Sequence, residues 1–128
     1  MGGEKMKPLA QVLALATLLT TTTVASADMN ADTLLRTYDT ATPNEKIIIE
    51  QMVLTAEKAF REANSVIVLQ RNEVALYCLP PATDFTAKQL IEMVRNEVGR
   101  TNFVGKYHFV MSMLHAFQSM FPCPSQSN

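Results

Sequence analysis

The sequence predicts an all-α fold, a small compact bundle of three to five helices with one disulfide. Three observations lead there. Apolar residues recur at spacings of three and four, no segment alternates long enough to claim a sheet, and two cysteines frame the last pair of helical segments.

At 128 residues the chain has room for one domain. Its first stretch reads as targeting. Lys5 and Lys7 supply a positive start, Leu9 to Leu19 is apolar apart from Gln11 and Thr17, and Ala25-Ser26-Ala27 fits a signal-peptidase site. A membrane anchor would need roughly 20 mainly apolar residues, and this segment is shorter and ends in a run of threonines. The expected organisation is a signal peptide at 1–27, a helical domain at 28–124 and a disordered tail at 125–128. The expected destination is the periplasm, with no membrane association once the leader is removed.

Loss of the leader takes away Lys5, Lys7 and Glu4. The eleven basic and twelve acidic residues of the whole chain become nine and eleven, a charge near −2. Such a balance argues against nucleic-acid or anionic-membrane binding, which leaves a basic patch.

The elements follow in order. Asn30 or Asp32 caps a short helix carrying Leu34, Leu35 and Tyr38, and Asp39 to Ala41 reads as a turn. Thr42-Pro43-Asn44-Glu45 is a capping box with proline at the first helical position. Beyond it Ile49, Met52, Val53, Ala56, Phe60, Ala63 and Ile67 form one stripe, with Glu57 and Arg61 on other faces. This long helix should end between Asn64 and Asn72.

Thr86 and Gln89 open the third helix with a second capping box, preceded by Phe85 as a hydrophobic staple. Its buried face is Ala87, Leu90, Ile91, Val94 and Val98, and Gly99 is the expected left-handed stop. The fourth helix is expected over Asn102 to Met120, with Phe103, Tyr107, Val110, Leu114, Phe117 and Phe121 at helical spacing. Pro122 and Pro124 stop it.

Cys78 and Cys123 are 45 residues apart. An even count in a small exported chain points to a pair rather than two free thiols, and closing that loop stabilises by about 4 kcal/mol at best. The bond would tie the return of the last helix to the point where the third departs. The long helix is the element expected to cover this hairpin.

Chemistry is sparse. His108 and His115 on one helix would lie about 10 Å apart along its axis, too far to share a zinc ion. The row His108, Ser112, His115, Ser119 therefore reads as the polar side of an amphipathic helix. Glu92 and Glu97, like Glu57 and Glu62, point in different directions and make poor acid–base pairs. No nucleophile elbow or phosphate-cradling loop is present. Pairing of Cys78 would remove its thiolate, and Met52, Met93, Met111, Met113 and Met120 serve as core filler. Neither an enzyme nor a metal or cofactor is expected. Arg100, Thr101, Asn102 and Phe103 form the candidate partner-binding turn, since loops on rigid scaffolds carry recognition and Arg and aromatic residues anchor it. The competing reading has Phe103 capping the core and Arg100 solvated.

The frame Tyr77-Cys78-Leu79-Pro80, a following helix carrying Gln89, and the ending Ala116 to Phe121-Pro122-Cys123 resembles the Rap/Tai family of type VI secretion amidase immunity proteins. The likeness covers about 45–123. The chain departs from that pattern in having Ala59-Phe60 where many relatives have a Gly-aromatic step, and no cysteine upstream. The resemblance implies a periplasmic immunity protein whose partner is a cognate cell-wall amidase effector, plugged at its cleft. It also implies that a homodimer is open to this chain. The alternative is a periplasmic structural or chaperone-like helical protein with no toxin partner.

Overall fold

The computed structural model describes residues 29–124. The expected leader and the tail at 125–128 lie outside the described residues. Within them are four α-helices and one 3-10 turn, with an isolated bridge between Asn30 and His108 as the only extended pairing.

Helix α1 spans Ala31–Thr40. The Asn30 side chain caps it, accepting from the Thr33 N–H at 2.8 Å. Asp39 and Thr40 belong to the helix rather than to a turn, because Thr40 Oγ1 donates to the Arg36 carbonyl and Arg95 grips Asp39 through both carboxylate oxygens. Helix α2 spans Pro43–Arg71 and opens on the expected capping box between Thr42 and Glu45. It stops at Asn72, whose φ of 53° is the left-handed conformation that asparagine tolerates. The Tyr38 hydroxyl donates to Glu50 at 2.7 Å and ties α1 to α2.

Helix α3 spans Ala87–Arg100, opened by the Thr86–Gln89 box. Gly99 does not stop it. The Thr101 N–H donates to the Glu97 carbonyl, Arg100 reaches back to the Glu97 side chain, and the helix runs one residue past the glycine. Helix α4 spans Phe109–Met120, well short of the expected start at Asn102. Residues 102–108 form a turn and the 3-10 segment Val104–Lys106. Tertiary contacts impose this break. Ala31 N–H donates to Tyr107 O and Phe109 N–H to Met29 O, so the chain is extended at 107–108 against the start of α1. The buried Gly105 lies under the Asp32 carboxylate, where a side chain would collide.

The core centres on Phe117, which is fully buried. Tyr77 stacks on it at 4.8 Å between centroids, Phe85 lies at 5.8 Å, and Phe60 meets it edge-on at 6.3 Å. The hairpin is covered by α1 as well as α2, since Leu34 and Leu35 are buried in the same core as Ile49, Val53, Leu90 and Ile91. Cys78 and Cys123 are bonded, and the Cys78 N–H donates to Phe121 O at 2.8 Å beside the bond. The 73–86 connection is therefore stapled to the end of α4. Asn64 clamps it from α2, accepting from the Leu76 N–H and donating to the Tyr77 carbonyl.

Candidate functional site

The polar centre of the molecule was not legible as a site in the sequence. In α3, Glu97 lies three residues after Val94 and four after Met93, which themselves lie four and three after Leu90, so a carboxylate continues the apolar face. Glu97 is 3% exposed. Isolated there it would be costly, and its partners come from the neighbouring helix, His115 and Ser119, and from its own, Arg100. One oxygen, Oε1, lies 2.8 Å from His115 Nδ1 and accepts from Ser119 Oγ at 3.2 Å. The other, Oε2, accepts from Arg100 Nη2 at 2.6 Å. Burial pushes the Glu97 carboxyl up, but the hydrogen bonds from Arg100, His115 and Ser119 outweigh it and hold it below the ordinary range.

The polar row expected on α4 is only partly solvated: His115 and Ser119 keep exposed surface while bonding Glu97, and Ser112 is core. Ser112 is fully buried and donates to the Val104 carbonyl at 2.7 Å, anchoring the 3-10 turn. His108 is the N-cap of α4 rather than a member of it, accepting through Nδ1 from the Val110 N–H. His115 and Ser119 serve Glu97. Both bond the same carboxylate, and Ser119 donates to Glu97 rather than to the imidazole. The three groups therefore lock two helices together instead of forming a nucleophile relay. No cluster of three or more metal-ligating side chains occurs among the described residues.

A second carboxylate, Glu57, lies off the expected apolar stripe and is nevertheless buried. It is 6% exposed and pairs with Arg61, whose Nη2 donates to the Thr83 carbonyl at 2.7 Å. That contact fastens α2 to the turn before α3. Nearby, the Tyr77 hydroxyl is the one buried side-chain polar atom without a partner among the described residues. Burial and then the Glu57 charge push its phenol up, with Arg61 opposing.

The candidate turn lies at the same end as Glu97. Arg100 is held by the Glu97 carboxylate yet keeps a side chain 61% exposed. Thr101 ends α3 through its backbone, and Asn102 is exposed. Phe103 does not cap the core: it is 53% exposed and packs edge-on against the exposed Tyr107 at 5.7 Å. Met111 and Met120 are exposed as well, so the methionines are only partly core filler. A separate apolar area lies around the end of α2, where Val66, Val68, Leu69, Val74 and Leu76 are all exposed. No helix among the described residues is long and apolar enough to cross a membrane.

Comparison with family models, with curated proteins and with solved structures finds no match to this chain.

Proposed function

We propose that this protein is a recognition module acting in the periplasm, an immunity-type inhibitor that binds a type VI secretion peptidoglycan amidase. The observation that carries the reading is the end of the α3–α4 hairpin. There an arginine, Arg100, and an exposed aromatic pair, Phe103 and Tyr107, stand on a scaffold held by the Glu97 hydrogen bonds and tied by a disulfide between the 73–86 connection and the segment after α4. Arginine and aromatic residues are the usual anchors of tight interfaces, and a scaffold ordered in advance loses little entropy on binding. Protection against a toxin calls for an affinity of nanomolar order, about −12 kcal/mol. The short motifs around Cys78 and Cys123 supply the link to cell-wall amidases.

The deciding experiment is co-expression with each exported hydrolase encoded beside the gene. The immunity reading expects lysis to stop, and expects Arg100→Ala/Phe103→Ala to weaken binding at least tenfold while the protein stays folded. Lysis that continues despite confirmed export ends this reading. A second reading, a periplasmic structural or chaperone-like protein, draws on the exposed apolar side chains around the end of α2. It expects protection of unfolded clients from aggregation, lost when Leu69 and Val74 are made polar.

A further inference from the structure

Beside the Glu97 hydrogen bonds lies a cavity of about 270 Å³, lined by Met93, Asn96, Glu97, Arg100, Ser119 and Met120. Its two walls are the last turns of α3 and α4, positioned against each other by Glu97. Arg100 is its charged feature. A guanidinium carries five N–H donors in a fixed fork, and Arg100 uses one of them, to Glu97. The remaining donors have no partner among the described residues, on a side chain that is 61% exposed. Asn96 adds an exposed amide on the same rim. The exposed Met120 supplies flexible, polarisable apolar surface of the kind that adapts to an inserted chain, beside the largely buried Met93.

The charge of Glu97 does not close the cavity to an anion. Both of its oxygens are occupied by donors, and Arg100 balances its charge. A guanidinium held on one edge by a carboxylate can present its other edge to a second, which is the bidentate geometry arginine favours.

We infer that this cavity is the seat of a glutamate side chain from a protein partner, its carboxylate on the free edge of Arg100 and its methylenes between Met93 and Met120. The methionines beside Arg100 favour a side chain with an apolar stem over a bare chain terminus, whose carboxylate sits directly on the backbone. The inference deepens the recognition reading above, since Arg100 belongs to both and it rests on Arg100 being a contact residue. Its test is nevertheless independent of any amidase.

The probes are capped amino acids titrated into the isotope-labelled protein and followed by NMR. N-acetyl-glutamate α-amide should give saturable shifts at Asn96, Arg100 and Ser119 in the millimolar range. N-acetyl-glutamine α-amide should not, and N-acetyl-alanine, which carries a terminal carboxylate, should shift them far less. Arg100→Ala, a change at an exposed side chain, should abolish the response while the rest of the spectrum stays dispersed. No saturable shift, an equal response to the glutamine or alanine probe, or an undiminished response in Arg100→Ala would each overturn the inference. A positive result together with failure to bind any neighbouring hydrolase would retain the site and discard the immunity role.

Discussion

The α3–α4 hairpin and the distal half of α2 are both apolar at helical spacing, yet they meet opposite fates. In the hairpin, Leu90, Val94, Met113 and Phe117 are buried, and even the polar residues on the contact faces, Glu97, Ser112, His115 and Ser119, have found partners. In α2 the stripe is buried at Ile49 and Val53, half-covered at Phe60, and then runs out. Ala63 is exposed and Ile67 is only half-covered, while off the stripe Leu69 is 81% exposed. Periodicity specifies a helix and the face it would bury. It does not specify how far along that face another element will lie. The hairpin helices are short and matched in length, so each turn finds a neighbour, whereas α2, with 29 residues, outreaches the 14-residue α3 on which it packs.

This contrast can be broken from either side. The largest effect is expected at Phe117→Ala, which removes the ring on which Tyr77, Phe60 and Phe85 converge. Large-to-small changes at such sites cost about 3–5 kcal/mol, and urea unfolding should show a loss of this size. Replacing both Cys78 and Cys123 with serine releases the 73–86 connection from the end of α4. A loss of about 2–4 kcal/mol is expected, measured as the difference in unfolding midpoint, with reductant giving a similar loss in the wild type.

Glu97→Gln sharpens the comparison by removing a charge from the hairpin without removing volume. Its partners Arg100 and His115 are themselves well exposed, so the loss should be about 1–2 kcal/mol, below that of a fully buried pair. The pH dependence fixes the sign. The folded carboxyl titrates below its unfolded value, so its contribution is fully present above the unfolded value and is lost as pH falls through the folded one. The wild type should therefore lose its advantage over Glu97→Gln on acidification below about pH 4, as read from unfolding curves taken across that range. The smallest effect is expected at Leu69→Ser, within about 0.5 kcal/mol of zero because little packing is lost. A loss comparable to that of Phe117→Ala would mean that the end of α2 is packed in solution.

Much of the fold was legible because its signals are local. Both capping boxes satisfy backbone N–H groups within four residues, and they open α2 and α3 where expected. The proline-flanked ending of α4 and the Cys78–Cys123 pair were legible for the same reason and from the cysteine count. The misreadings fall where distant segments compete. Gly99 is a reasonable helix stop by local rules, but the hydrogen bonds of Thr101 and Arg100 to Glu97 carry α3 past it. Residues 102–108 keep an apolar helical period, yet the start of α1 pairs with 107–109 and Ser112 holds Val104, which costs α4 its first turns.

Of the candidate site, the sequence could single out Arg100 and Phe103 by residue type, but not the cavity beside Arg100. By itself it determined four helical segments, the capping boxes that open α2 and α3 and the cysteine frame, because these depend on spacing and on interactions closed within a turn. The tertiary structure alone decided that Glu57 and Glu97 are buried, that Ser112 is core and that the end of α2 stays exposed. A charged side chain at a given helical phase can face water or a neighbouring helix, and only the arrival of donors such as Arg61, Arg100, His115 and Ser119 makes the buried option affordable.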